Sequence, residues 1–316
     1  MRTSSVTSQS SLLAILLLIL TVAVAFVRQS IAPYAAELAE SEFMPRWGEA
    51  TIAAVIFVIT GIIVGRTATK MGAFNGFCTL PISLYGIIAC GILLSPYALT
   101  AAASSALSAL GTMLLLRALG EFGNKNVVFF ASMLFGTAAV VFAPCAMLVA
   151  LLAVAILLFP LNIRQSIIAI VGWLIPIFAA SYITWYAGGE FSSVARNIID
   201  ALLPNNVSFA TEPFPIVALI IVCIVAILVA TGLVLFRANR YSVLVRVRKA
   251  MQAEVWFMAI VAATAIATGN IVTMLPIIAI PVSIIAAFAL DKMPSRPAVV
   301  LYWMLLICFV IHLFVY

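Results

Sequence analysis

The chain has 316 residues, of which 66% are hydrophobic and 8% charged, with a formal net charge of +6. A soluble domain of this size needs about three times that share of charge to keep its surface wet, so composition excludes a soluble protein. It also excludes an added soluble domain, because the longest polar connection, about Gly188 to Phe214, is too short to build a second core.

A bilayer core about 30 Å thick takes about 20 helical residues to cross. The apolar runs are continuous rather than alternating, and backbone groups in lipid must be satisfied within their own segment, so the runs are read as helices. They predict an all-α polytopic transmembrane bundle of about eleven spans, near residues 11–27, 49–65, 77–94, 99–116, 127–143, 145–160, 167–187, 215–236, 255–268, 271–290 and 298–316. Residues 1–316 form a single integral membrane domain in this reading.

In chain order, the opening MRTSSVTSQS with LLAILLLILTVAVAFV reads as an uncleaved anchor. Its apolar run is long for a signal peptide, and Ala35 with Ala36 is the nearest approach to a cleavage site. Gly61-Ile-Ile-Val-Gly65 is a GxxxG pattern in the second span, and Ala102, Ala106 and Ala109 form a small-residue stripe in the fourth; both read as helix-packing surfaces. The uncharged stretch 127–160 would be about 50 Å long as one helix, so Pro144 is taken to break it into a hairpin. The segment 190–203 places Phe191, Val194, Ile198 and Leu202 on one helical face, opposite Glu190, Arg196 and Asp200, which suits an external helix lying in the membrane interface. Gly269-Asn270 divides 255–290 into two full spans or a re-entrant pair.

With these spans, thirteen of the sixteen Lys and Arg residues fall on one side, and only Arg28, Arg46 and Arg196 on the other. The positive-inside rule then sets the N-terminus in the cytoplasm and the C-terminus in the periplasm of a bacterial inner membrane. Basic loops of this kind speak of topology and anionic lipid rather than nucleic acid. The loop from Arg237 to Lys249 is the densest: Arg237, Arg240, Arg246, Arg248 and Lys249 are expected to contact anionic headgroups at the cytoplasmic face. A docking site for a partner protein is the alternative there.

Candidate chemistry is sparse. The five cysteines show no metal-ligand spacing and the only histidine is His312, so no Cys/His metal site is expected. No Asp, Glu, Lys or Arg falls in the middle of a predicted span, where ion-coupled carriers and proton relays usually show one. The first external loop holds Glu37, Glu40, Glu42, Arg46, Trp47 and Glu49. Glu40 and Glu42 form a carboxylate pair able to hold a divalent metal or to divide acid and base roles, with Glu37, Arg46, Trp47 and Glu49 as candidate substrate contacts. A solvated acidic loop anchored by Trp47 and Tyr34 is the other reading.

Asn75 ahead of a short span with Pro81 and Tyr85, the Leu116-Arg117 span end, Gly136, Arg164 before Gly172-Trp173 and Pro176, and VRVRKAMQ at 245–252 together resemble an uncharacterised family of multi-pass inner-membrane proteins of Bacteroidota. That resemblance spans most of residues 66–316 and implies a helical envelope protein without an assigned activity. A weaker likeness, carried by Glu40 and Glu42 after the first span, is to the membrane core of C-type glycosyltransferases; it implies an enzyme acting on lipid-linked sugar at the periplasmic face, with a divalent metal. The chain departs from that pattern in having no Asp in the loop and no large external domain.

Three functions follow as expectations. The first is an accessory component of cell-envelope biogenesis with a membrane-protein partner and no cofactor. The second is the glycosyltransferase-like enzyme, and the third a transporter or flippase of a neutral or lipidic substrate. Whether the protein is an enzyme stays open at this stage.

Overall fold

The computed structural model describes residues 11–31, 46–72, 74, 79–91, 98–118, 125–158, 162–203, 216–239 and 244–315. Over them the chain is helical and has no strand. The helices are α1 (Ser11–Ile31), α2 (Arg46–Met71), α3 (Leu80–Gly91), α4 (Ala98–Ala118), α5 (Lys125–Val141), α6 (Leu148–Leu158), α7 (Ile163–Tyr186), α8 (Ser193–Leu202), α9 (Ile216–Ala238), α10 (Val245–Thr268), α11 (Ile271–Lys292) and α12 (Ser295–Val315), with a 3-10 turn at Ala143–Met147 leading into α6.

Six helices, α2, α4, α7, α9, α10 and α11, are long and apolar enough to cross a bilayer. The apolar stretches of α1, α3, α5, α6 with its leading turn, and α12 fall short of that length over their fully described residues. The 12 described residues of α3 cover about 18 Å, less than a bilayer core. The architecture is therefore an all-helical membrane bundle with, among the described residues, six helices of crossing length, a coarser result than eleven spans of fixed orientation.

Local chemistry explains the breaks. Pro144 lacks an amide hydrogen, so α5 stops at Val141 and the chain tightens through the 3-10 turn before α6. Gly269 ends α10 at φ 71°, a left-handed conformation that glycine adopts without steric cost, and α11 begins two residues later.

Helix α11 is the hub. Of its most apolar window, 89% is buried, and it packs against α3, α9, α10 and α4. Helix α7 is its opposite: only 22% of its window is buried, and Ile163, Phe178, Ile183, Trp185 and Tyr186 stand exposed. Contiguous apolar surface on that scale is stable against lipid, not water. Helix α8 packs on α7 and the 3-10 turn, burying Ile198 in a small cluster with Ala139, Ala146 and Ile177. Its Arg196–Glu190 pair at 3.4 Å is solvent-exposed and adds little stability.

One expectation is corrected by α10. The predicted span began at residue 255, leaving Glu254 in a loop. The helix instead begins at Val245 and carries Glu254 into the packed interior, with none of its surface exposed. Arg246, Arg248 and Lys249 made the segment read as a loop, yet charged residues are tolerated in the terminal turns of a membrane helix, where long side chains reach water. A mid-helix acid is therefore present after all.

Candidate anion-binding pocket and a buried glutamate

The sequence-predicted residues divide by location. Glu37, Glu40, Glu42 and Arg240 lie outside the described residues, as do the side chains of Arg46 and Trp47, whose backbones open α2. Glu49 is half-buried in the first turn of α2. Arg237 is exposed at the end of α9, and Arg246, Arg248 and Lys249 occupy the first turns of α10. Of these, only Arg246 lines a hollow at one end of the bundle.

That hollow, of about 370 Å³, is lined by Thr67, Lys70 and Met71 of α2, Met113, Leu116 and Arg117 of α4, and Arg246 and Ala250 of α10. The C-terminal ends of α2 and α4 and the N-terminal end of α10 thus meet at one end of the bundle. Each helix contributes one cation, and Lys70, Arg117 and Arg246 are all exposed. The remaining wall is mostly buried: Thr67, Met71, Leu116 and Ala250 are each 7% exposed or less. A rim of three positive charges over an apolar floor matches the two halves of an anionic amphiphile. Among the described residues neither Lys70 nor Arg246 forms an ion pair. No carboxylate among the described residues engages them in the way that Asp291 engages Lys292 at 3.3 Å.

The volume is in the range of small-ligand sites. Arginine offers a planar fork that grips two phosphate oxygens at once, while lysine acts as a movable point charge. The Thr67 hydroxyl donates to the Ile63 carbonyl at 2.8 Å, which leaves its oxygen able to accept. Sequence reasoning had marked Arg246 for headgroup contact but missed Lys70 and Arg117. The only signal for those two was that each ends an apolar run on the same side of the bilayer.

Glu254 lies on the same face of α10 as the pocket lining. Arg246, Ala250 and Glu254 are spaced four residues apart, so they stack along one stripe. Both carboxyl oxygens of Glu254 are buried, and among the described residues neither has a hydrogen-bond partner. Removing a carboxyl from water with no partner is costly, and ionisable groups inside membrane bundles mark functional paths more often than packing.

A second hollow, of only about 10 Å³, lies among Pro144, Cys145, Leu148, Val261, Thr264 and Ile277. It holds at most about one water molecule. Along α4, Ser104, Ser105, Ser108 and Thr112 are buried, and each hydroxyl bonds a carbonyl of its own helix. Ser105 also meets the Tyr85 hydroxyl of α3 at 3.3 Å. Among the described residues no three His, Cys, Asp or Glu converge.

In comparisons with known proteins, the chain matches no protein-family model, no curated protein and no solved structure.

Proposed function

We propose that this chain is a multi-pass inner-membrane protein acting as an accessory component of cell-envelope biogenesis, and that it works by holding a phosphate-bearing lipid headgroup at its basic end. The carrying observation is the hollow of about 370 Å³ ringed by Lys70, Arg117 and Arg246 from three helices. Basic pockets between membrane helices are suited to anionic headgroups, and the positive-inside rule assigns this end to the cytoplasm. The apolar floor of Met71, Met113, Leu116 and Ala250 accommodates the upper acyl region. The deciding experiment compares phosphatidylglycerol retention by the detergent-purified wild type and by Lys70→Ala and Arg246→Ala. Clear weakening in both supports the pocket, and equal retention in all three overturns it.

A carrier of a lipidic substrate is the second reading, and Glu254 favours it, since ionisable residues inside membrane bundles often mark substrate or proton paths. Against it stands the close packing of α11 through the middle of the bundle. The glycosyltransferase-like reading depends on Glu40 and Glu42 with a divalent metal. An unchanged cellular phenotype on replacing both with Gln would remove it.

A further inference from the structure

We propose that Glu254 is the amine-recognising half of the headgroup site, so that the preferred ligand is a phosphate ester bearing a primary ammonium, the chemistry of an ethanolamine headgroup. The inference rests on the phosphate-binding reading of the pocket and adds the selectivity that reading lacks. Lys70, Arg117 and Arg246 account for the phosphate. They do not account for an unpartnered carboxyl on the continuation of the same helix face.

Four observations converge. Glu254 is wholly buried and both its oxygens lack a partner among the described residues. It lies one turn, about 6 Å along the axis, beyond Ala250, which lines the pocket. Helical side chains lean toward the N-terminus of their helix, and the pocket lies on the N-terminal side of Glu254 along α10. Finally, Met71 and Met113 line the pocket, and methionine is the apolar side chain most easily rearranged to open a path. From Arg246 to Glu254 is two turns, about 12 Å along the axis, a span shared between the headgroup and the two side chains that hold its ends. An ammonium donates three hydrogen bonds, enough to satisfy both carboxyl oxygens. A quaternary choline group has no N–H to give, and a glycerol headgroup has no charge to match.

The test uses the full chain purified in detergent, with bound ligand read by native mass spectrometry. It is titrated with phosphatidylethanolamine, phosphatidylglycerol, phosphatidylcholine and soluble phosphoethanolamine. Wild type is expected to bind phosphatidylethanolamine about tenfold more tightly than either other lipid, the scale of a charge-assisted hydrogen bond. Glu254→Gln removes that preference, so that phosphatidylethanolamine and phosphatidylglycerol bind alike. Ala250→Leu, which adds bulk on the helix face between the pocket lining and Glu254, removes it by an independent route. Equal affinity of the wild type for phosphatidylethanolamine and phosphatidylglycerol overturns the proposal, whatever the variants do. So does a Glu254→Gln protein that keeps the preference. Soluble phosphoethanolamine binding as tightly as the lipid upholds the recognition chemistry and assigns the ligand to the free ester. If Lys70→Ala and Arg246→Ala leave phosphatidylglycerol binding intact, the pocket reading fails, and that failure is separate from the ethanolamine comparison.

Discussion

The backbone carbonyl of Trp173 on α7 lies so close over Gly136 on α5 that a methyl group built on Gly136 would overlap it. The contact is reciprocated one turn away: a methyl on Gly172 would overlap the Ser132 hydroxyl oxygen and meet the Phe129 carbonyl at 2.8 Å. Small residues facing backbone in this way let two membrane helices approach closely, where dispersion contacts supply the association energy that hydrophobicity does not supply in lipid.

Gly136→Leu therefore pries α5 from α7. Because backbone must move, and not the end of a flexible side chain, a loss of about 1–3 kcal/mol is expected. Thermal unfolding of the detergent-solubilised protein checks it, and an unchanged midpoint would mean that the two helices are not in this contact.

Tyr302 on α12 donates to the Ser83 hydroxyl on α3 at 3.3 Å, both residues being buried. A double-mutant cycle over Tyr302→Phe and Ser83→Ala is expected to give a coupling of about 0.6 kcal/mol, typical of interhelical hydrogen bonds in membranes. Strict additivity of the two substitutions would show that the bond contributes nothing to stability.

Glu254→Met is expected to stabilise the protein by about 1–3 kcal/mol, since it removes a buried polar group without a partner and keeps most of the side-chain volume. A gain in thermal midpoint, accompanied by loss of ethanolamine preference, identifies a residue retained for function at the expense of stability. A drop in midpoint would mean that Glu254 is stabilised by its surroundings in the resting bundle.

Neutralising the pocket rim acts on affinity. Lys70→Gln and Arg246→Gln are each expected to weaken phosphatidylglycerol binding by the detergent-purified protein by about fivefold, the equivalent of about 1 kcal/mol per basic residue near an anionic surface. The wild-type advantage shrinks as salt is raised, because exposed charges are screened. Arg237→Gln, outside the pocket, should change binding less. Equal effects of all three substitutions would point to a diffuse surface field rather than a site.

The helical class was legible because long apolar runs have no other stable form in lipid. Pro144 and Gly269 announce helix ends through their own backbone chemistry. Helix α3 was not legible at its described length: Leu80–Gly91 is as apolar as a true span, yet these 12 residues cover only about 18 Å. Glu254 was misplaced because Arg246, Arg248 and Lys249 just before it suggested that the loop continued to residue 254, whereas these cations sit in the first turns of the helix itself. The pocket could not be read at all, since positions 70, 117 and 246 share no local pattern and meet only when three helix ends are brought together.

The seclusion of α11 sets a condition on how the molecule is assembled. A segment that touches almost no hydrocarbon in the finished bundle must still enter the membrane through it, and it arrives after α3, α4, α9 and α10, the very neighbours that enclose it. Those earlier segments have to keep a vacant berth, so the order of insertion is the reverse of the order of enclosure. Ribosomal stalling just before Ile271 should therefore leave a loose, protease-sensitive intermediate that tightens only once the eleventh helix has slotted home.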